Sequence, residues 1–181
     1  PGFHREPPFE LHGGHAIGVG GFRLVDYVAP DEAVLHPPGR AFKAALAGIN
    51  GARAYVAAMC CGMLQASLET AVRYTQQRKT FGQPVLDHQG VRWKLVDAAT
   101  DLEAARLLTY RAARLIDEAG DAVLPAAHAK KFSTEMAVRR IADCIQAMGA
   151  SGLRAEHPLA RHLACAKIAA YTDGSIEMMN E

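Results

Sequence analysis

The stretch Tyr74-Thr75-Gln76-Gln77-Arg78-Lys79-Thr80-Phe81-Gly82-Gln83-Pro84 ends a long apolar-periodic segment in a cationic turn, and the polar pair His88-Gln89 opens the next one. Upstream, Phe42, Leu46, Ile49, Val56, Met59, Met63, Leu64, Leu68 and Ala71 recur at three-and-four spacing, as one buried helical stripe would. Downstream, the spacing predicts a helix from about Asp87 to Ala119, with Val91, Leu95, Ala99, Leu102, Leu107 and Leu115 inward and Gly120 suited to its C-terminal cap. A third helix spans about Leu124 to Met148 through Ala129, Phe132, Met136, Ile141 and Ile145, and the turn Gly149-Ala150-Ser151-Gly152 follows. Pro158 fits the first turn of a fourth helix, which runs through Leu163, Ala166 and Ile168 toward Tyr171. Long helices joined by short turns predict an all-α fold: an antiparallel four-helix bundle over residues 36–181.

Residues 1–35 read differently. Gly18 to Val28 is rich in Val, Phe, Leu and Tyr and broken by glycines, and Gly13-Gly14 adds a turn signal. Two or three short strands cannot bury their own faces, so this strand-rich remnant is expected to lean on one end of the bundle. The first residue is proline, and the text reads as a piece of a longer chain.

Bulk properties narrow the function classes. Half of the residues are hydrophobic, 22% are charged, and the net charge of +1 gives no strong field toward nucleic acid or an anionic membrane. No apolar run is read here as approaching a membrane span, and the start lacks the apolar middle of a signal peptide. Cys60, Cys61, Cys144 and Cys165 form no C-x-x-C unit and read as reduced residues of a cytoplasmic protein. Among the histidines, His12 with His15 and His157 with His162 lack the pair spacing and nearby carboxylates of a zinc site, so no metal is expected.

Chemistry concentrates at the opening stretch. Arg78 can make a forked, charge-assisted contact to a phosphate, and the N–H groups that begin the next helix can add to such an anion site. For Arg78 alone, an ordinary helix–helix turn is the simpler reading. The whole string, however, resembles the R-K-T-F-G-x-P…H-Q signature of the acyl-CoA dehydrogenases. Val28-Ala29-Pro30-Asp31-Glu32-Ala33-Val34-Leu35 is similar to the passage that leaves that family's middle β-domain, and Gly39-Arg40-Ala41-Phe42-Lys43 to the start of its first C-terminal helix. Gln146-Ala147-Met148-Gly149-Ala150-Ser151-Gly152 resembles Q-x-x-G-G-x-G, and Tyr171-Thr172-Asp173-Gly174-Ser175 resembles the terminal Y-E-G-T with Asp173 in the glutamate's place. The likeness runs from about Gly18 to the end and corresponds to the later half of a full dehydrogenase.

The resemblance implies an FAD enzyme of fatty acid metabolism that removes the α-proton of an acyl-CoA, or a related thioester, with a carboxylate and passes the β-hydride to the flavin. It implies Asp173 as the base, with its backbone N–H as one enolate donor. It implies Asn50, Arg53 and Gly174 on the substrate side. Cofactor contacts would come from Arg78, Thr80, Phe81, His88, Gln89, Gln146, Ala147, Met148, Gly149, Ala150, Ser175 and Glu177. The family's flavin lies between two subunits, which implies a homo-oligomer, dimer or tetramer, and an electron-transfer flavoprotein as a possible partner. Half of the cofactor cleft would lie outside this chain, so the chain alone is expected to hold flavin weakly.

Plainer readings stand beside these. Asp-Gly is a common turn pair, Gln146 to Gly152 could be a Gly-containing helix exit, and most arginines resemble a solvated Arg53. Aspartate is one methylene shorter than glutamate, roughly 1.5 Å of reach. No carboxylate stands near Ala52, Asn50 replaces the family's usual aspartate, Ala164-Cys165 replaces an Arg-Asp pair, and Asn180 an arginine. A non-catalytic subunit or assembly module of the same architecture, or a flavin-dependent hydroxylase, therefore remains as an alternative.

Overall fold

The computed structural model describes residues 2–14 and 18–181; Pro1 and His15 lie outside the described residues. Four helices, α1 (Ala41–Gln77), α2 (Gln89–Asp117), α3 (Val123–Met148) and α4 (Leu159–Ala169), make an up-down-up-down bundle in which α3 packs against all three others. The main core gathers Val56, Cys60 and Leu64 of α1, Leu95 and Leu102 of α2, Met136, Ile141 and Cys144 of α3, and Leu159 of α4. Each large apolar side chain sealed there contributes about 1.5–3 kcal/mol. A second, smaller cluster has only alanine at its buried positions: Ala54, Ala57, Ala112, Ala126 and Ala129.

Several stripe positions need correction. Phe42 is 77% exposed, and Leu46, Ala99 and Leu107 are exposed as well, while Ala98 takes the inward position expected of Ala99. Helical spacing finds an apolar face but does not say whether the same chain covers it. By length and composition alone α1 is apolar enough to cross a membrane, contrary to the sequence expectation. The fourth helix has only 11 residues. At the end of α2 the left-handed residue is Ala119 (φ 52), not Gly120. The Gly120 N–H reaches back to Leu115 O and the Ala119 N–H to Ile116 O, which closes the helix in a Schellman turn.

One polar cluster braces α2 against α3. Arg140 donates from Nε to Asp101 at 2.6 Å and from a terminal nitrogen to Asp143 at 3.0 Å, with Asp97 at 3.5 Å. Arg139 adds a bond to Asp101 at 3.1 Å, and Lys94 lies 3.6 Å from Asp143.

Near the start, β1 (Phe3–Arg5) and β2 (Phe22–Leu24) pair antiparallel with Phe3 opposite Leu24, and all six residues stay exposed. Gly13 brings this segment onto α4. A Cβ there would stand 2.8 Å from the Ala164 methyl, so the loop needs glycine and the helix a small residue at that point. Between α1 and α2, β3 (Lys79–Thr80) and β4 (Gln83–Pro84) form a hairpin across Phe81-Gly82.

Candidate active site

The candidate residues fall into two groups well separated along α1. Arg53 and Arg78 are about 25 positions apart, hence about 37 Å along the helix axis.

The first group surrounds the hairpin. A two-residue loop that matches strand twist needs positive φ at both positions, which favours Asn-Gly. Here Phe81 (φ 50) precedes Gly82 (φ 82), and the Phe81 side chain is 99% exposed. A left-handed conformation costs an ordinary residue about 1–2 kcal/mol, and burial of the ring does not offset it here. His88, the N-cap of α2, fixes the hairpin behind that ring. Its Nδ1 lies 3.1 Å from the Gln83 amide nitrogen and its Nε2 3.0 Å from Thr80 Oγ1, so both ring nitrogens face the hairpin. Arg78 is exposed at the base of the hairpin, where its carbonyl accepts from Val85 N–H, and Gln89 is exposed at the first turn of α2.

The exit of α3 belongs to the same end of the bundle, because Tyr74 donates to Ser151 Oγ at 2.9 Å. Gln146, Gly149 and Ala150 are exposed there. Ala147 and Met148 turn their side chains into the core, which leaves only backbone available for a ligand. Gly149 (φ 62, ψ −148) sits where a side chain is scarcely tolerated. An exposed guanidinium, the open N–H groups of a long helix and an unburied aromatic ring together suit an aromatic dinucleotide with an anionic pyrophosphate.

The second group lies beyond α4. Asp173 (φ 55) and Gly174 (φ 101) are both left-handed, and the aspartate's share of that strain is about 1 kcal/mol, the low end for non-glycine residues. Arg53 Nε donates to Asp173 O at 3.4 Å, so α1 reaches the loop directly. Asn50, one turn earlier on α1, is half-buried, as is Gly174. Glu177 is exposed, and a hydrogen bond from Ser175, two residues earlier, holds its carboxyl below the usual range. Metal-ligand clusters of three or more His, Cys, Asp or Glu do not occur among the described residues. His162 Nδ1 lies 3.1 Å from Ser67 Oγ and serves to join α4 to α1.

Sequence reasoning missed Lys130. Its side chain is fully buried, and its ammonium donates to Ala170 O at 3.2 Å and to Gly174 O. Burial first, then the Arg53 charge, pulls its pKa below the ordinary lysine value against the opposing effect of Asp173 and Cys60. Ala126, Ser133 and Ala137 flank it at helical spacing, so Lys130 lies on the buried face of α3, a signal visible in the sequence.

The sequence model of the acyl-CoA dehydrogenase C-terminal domain matches residues 39–181. The chain belongs to the acyl-CoA dehydrogenase family. The short-chain specific acyl-CoA dehydrogenase of Megasphaera elsdenii is 34% identical over 178 residues, which is 98% of this chain and 46% of that protein. The human mitochondrial short-chain specific enzyme is 36% identical over 149 residues, 82% of this chain and 36% of its own length. Among solved acyl-CoA dehydrogenase structures, butyryl-CoA dehydrogenase from Megasphaera elsdenii superposes with a TM-score of 0.94 at 34% identity, covering 99% of this chain and 47% of that one. Glutaryl-coenzyme A dehydrogenase in complex with glutaryl-CoA superposes with a TM-score of 0.91 at 31% identity, covering 99% and 46%. The chain thus spans about half the length of the acyl-CoA dehydrogenases it matches most fully.

Proposed function

We propose that this chain is the C-terminal part of an FAD-dependent acyl-CoA dehydrogenase, with residues 1–35 as the end of a β-domain and residues 36–181 as the helical domain. The observation that carries this reading is the loop at Asp173, where a carboxylate stands on a strained turn whose carbonyls are held by Arg53 and Lys130. Asp173 takes the α-proton of the acyl thioester, and its backbone N–H donates to the thioester oxygen as negative charge builds there. Gly174, without a side chain, lets the substrate approach. Arg53 and Asn50 line the acyl-CoA side. When bound, the flavin supplies the acceptor for the β-hydride.

The hairpin group, Arg78, Thr80, Phe81, His88 and Gln89, would hold the dinucleotide's phosphates and adenine side, together with the Gln146–Ala150 backbone. Ser175 and Glu177 would lie toward its ring end. The distance of about 37 Å between the two groups supports a cofactor shared between copies, the hairpin of one chain serving the cofactor of its neighbour. We therefore read the protein as a homo-oligomer, dimer or tetramer, and place it in the cytoplasm with an electron-transfer flavoprotein as redox partner. The exposed apolar residues of α1 and α2, among them Phe42, Tyr55, Trp93 and Leu107, support association through helix faces.

The test uses the whole protein, a panel of acyl-CoA thioesters and anaerobic flavin bleaching. The parent should bleach with its best thioester, and Asp173→Asn should slow that step by at least a thousandfold with flavin still bound. Full bleaching by Asp173→Asn would remove Asp173 from its role.

A further inference from the structure

We infer that Lys130 is the positioning residue of Asp173: from the buried face of α3 it ties the end of α4 to the far side of the aspartate and so fixes where the carboxylate points. The inference rests on the reading of Asp173 as the base. Its geometry is independent of that reading.

Lys130 is fully buried and uses its ammonium on two carbonyls, Ala170 O at 3.2 Å and Gly174 O. Ala170 is the C-cap of α4, and its carbonyl is among those a helix end leaves without an intrahelical partner. A cation there also meets the negative end of the helix dipole. Gly174 directly follows Asp173. The two acceptors therefore bracket the base in the chain, three residues before and one after. Arg53 of α1 takes a carbonyl between them, that of Asp173, at 3.4 Å. A turn with two successive left-handed residues, φ 55 and φ 101, persists only where its surroundings over-determine it. Two cations from two helices supply that determination here. Lys130 touches neither substrate nor cofactor in this scheme. It acts through the backbone, and a base displaced by about 1 Å loses about a hundredfold in rate.

The experiment compares the whole, flavin-loaded protein with Lys130→Met, which keeps the length of the side chain and removes the donor, and Lys130→Gln, which keeps a neutral donor. Hydrogen exchange of the peptides covering residues 170–176 reads the clamp without any reaction. Single-turnover flavin reduction by the best thioester reads its effect on Asp173. In Lys130→Met the 170–176 amides should exchange at least tenfold faster while α1 and α2 peptides keep the parent rates. Flavin reduction should slow by about a hundredfold at saturating thioester, with the thioester Kd within threefold of the parent. Lys130→Gln should fall between the two, and it carries the test if the methionine variant does not fold. Unchanged exchange in the loop would overturn the clamp whether or not the protein is active. Loosened exchange with an undiminished reduction rate would overturn the positioning of Asp173. A parent that reduces flavin with no thioester would overturn the dehydrogenase reading, and the exchange result would then decide the clamp alone.

Discussion

Replacing Arg140 with methionine tests whether the α2–α3 brace is organised around one cation. The guanidinium is 16% exposed and bonds Asp101 at 2.6 Å and Asp143 at 3.0 Å. Asp97, at 3.5 Å, is 61% exposed, so solvent screening leaves its share near zero. Without Arg140, three carboxylates face only Lys94 and Arg139, and a charge-balanced cluster acquires one surplus negative charge. Removing one partner of a buried pair costs about 3–5 kcal/mol. Arg139 still holds Asp101 and Lys94 still faces Asp143, which brings the expected loss to about 2–4 kcal/mol. At about 2–4 °C per kcal/mol for a domain of this size, Tm should fall by roughly 4–16 °C at pH 7. Acid supplies the second arm. Burial pushes the Asp101 carboxyl up, but hydrogen bonds from Arg140 and then Arg139 outweigh it and hold the group below its usual value. A carboxylate depressed in the folded state contributes stability above its unfolded pKa of about 4, and the contribution is lost as pH falls through the folded value. The parent loses this advantage in acid, and the variant, left with Arg139 alone on Asp101, has less of it to lose. Circular dichroism melts in steps from pH 7 to pH 3 should therefore show the gap narrow below about pH 4. A gap under 1 °C at pH 7, or one that persists unchanged at pH 3, would refute the reasoning.

Gly152→Ala should lower Tm by roughly 2–12 °C, because the new Cβ would lie 2.9 Å from both Cα and O of Ile145, and overpacking against backbone costs about 1–3 kcal/mol; a melt that matches the parent would show that the turn shifts freely. Burial pushes the Cys60 and Cys144 thiols up to about 12 and raises that of Cys61, whereas Cys165 is only half-buried. Brief iodoacetamide treatment of the native protein at pH 7.5, followed by peptide mapping, should label Cys165 ahead of the other three in this segment, and comparable labelling of Cys60 would contradict the packing.

The helices were legible because long apolar periodicities leave few other folds open, and the turn between the first two because Phe81-Gly82 and Gln83-Pro84 interrupt the pattern sharply; that this turn is a two-stranded hairpin was not read. The errors have one physical source. A stripe such as Phe42, Leu46 or Leu107 records that a face avoids water, not which molecule covers it, and α1 carries apolar residues at its start that this chain leaves exposed. Ala119 was missed because left-handed closure is usually glycine's role, and the adjacent Gly120 drew the assignment. The reading of Asp173 as a candidate base rests on its neighbours in the chain, since an Asp-Gly pair alone reads as a turn. Lys130 went unread because lysine on a helix is ordinarily solvated, and only the small residues at 126, 133 and 137 placed it on the inner face.

The alanine cluster has a consequence for which sequences this fold can tolerate. Ala54 and Ala57 of α1 cluster with Ala126 and Ala129 of α3, and Arg53 and Lys130 are the immediate neighbours of Ala54 and Ala129 in the chain. Two helices that approach this closely can place both cations on one loop. Leucine-sized residues in the same positions would hold the helices apart and carry the cations out of reach. Variation at these alanines is therefore one-sided: they offer almost nothing to hollow out, and almost every substitution is an enlargement. The residues that most narrowly bound the evolution of the Asp173 loop are thus among the smallest in the bundle, and they carry no polar side-chain group at all.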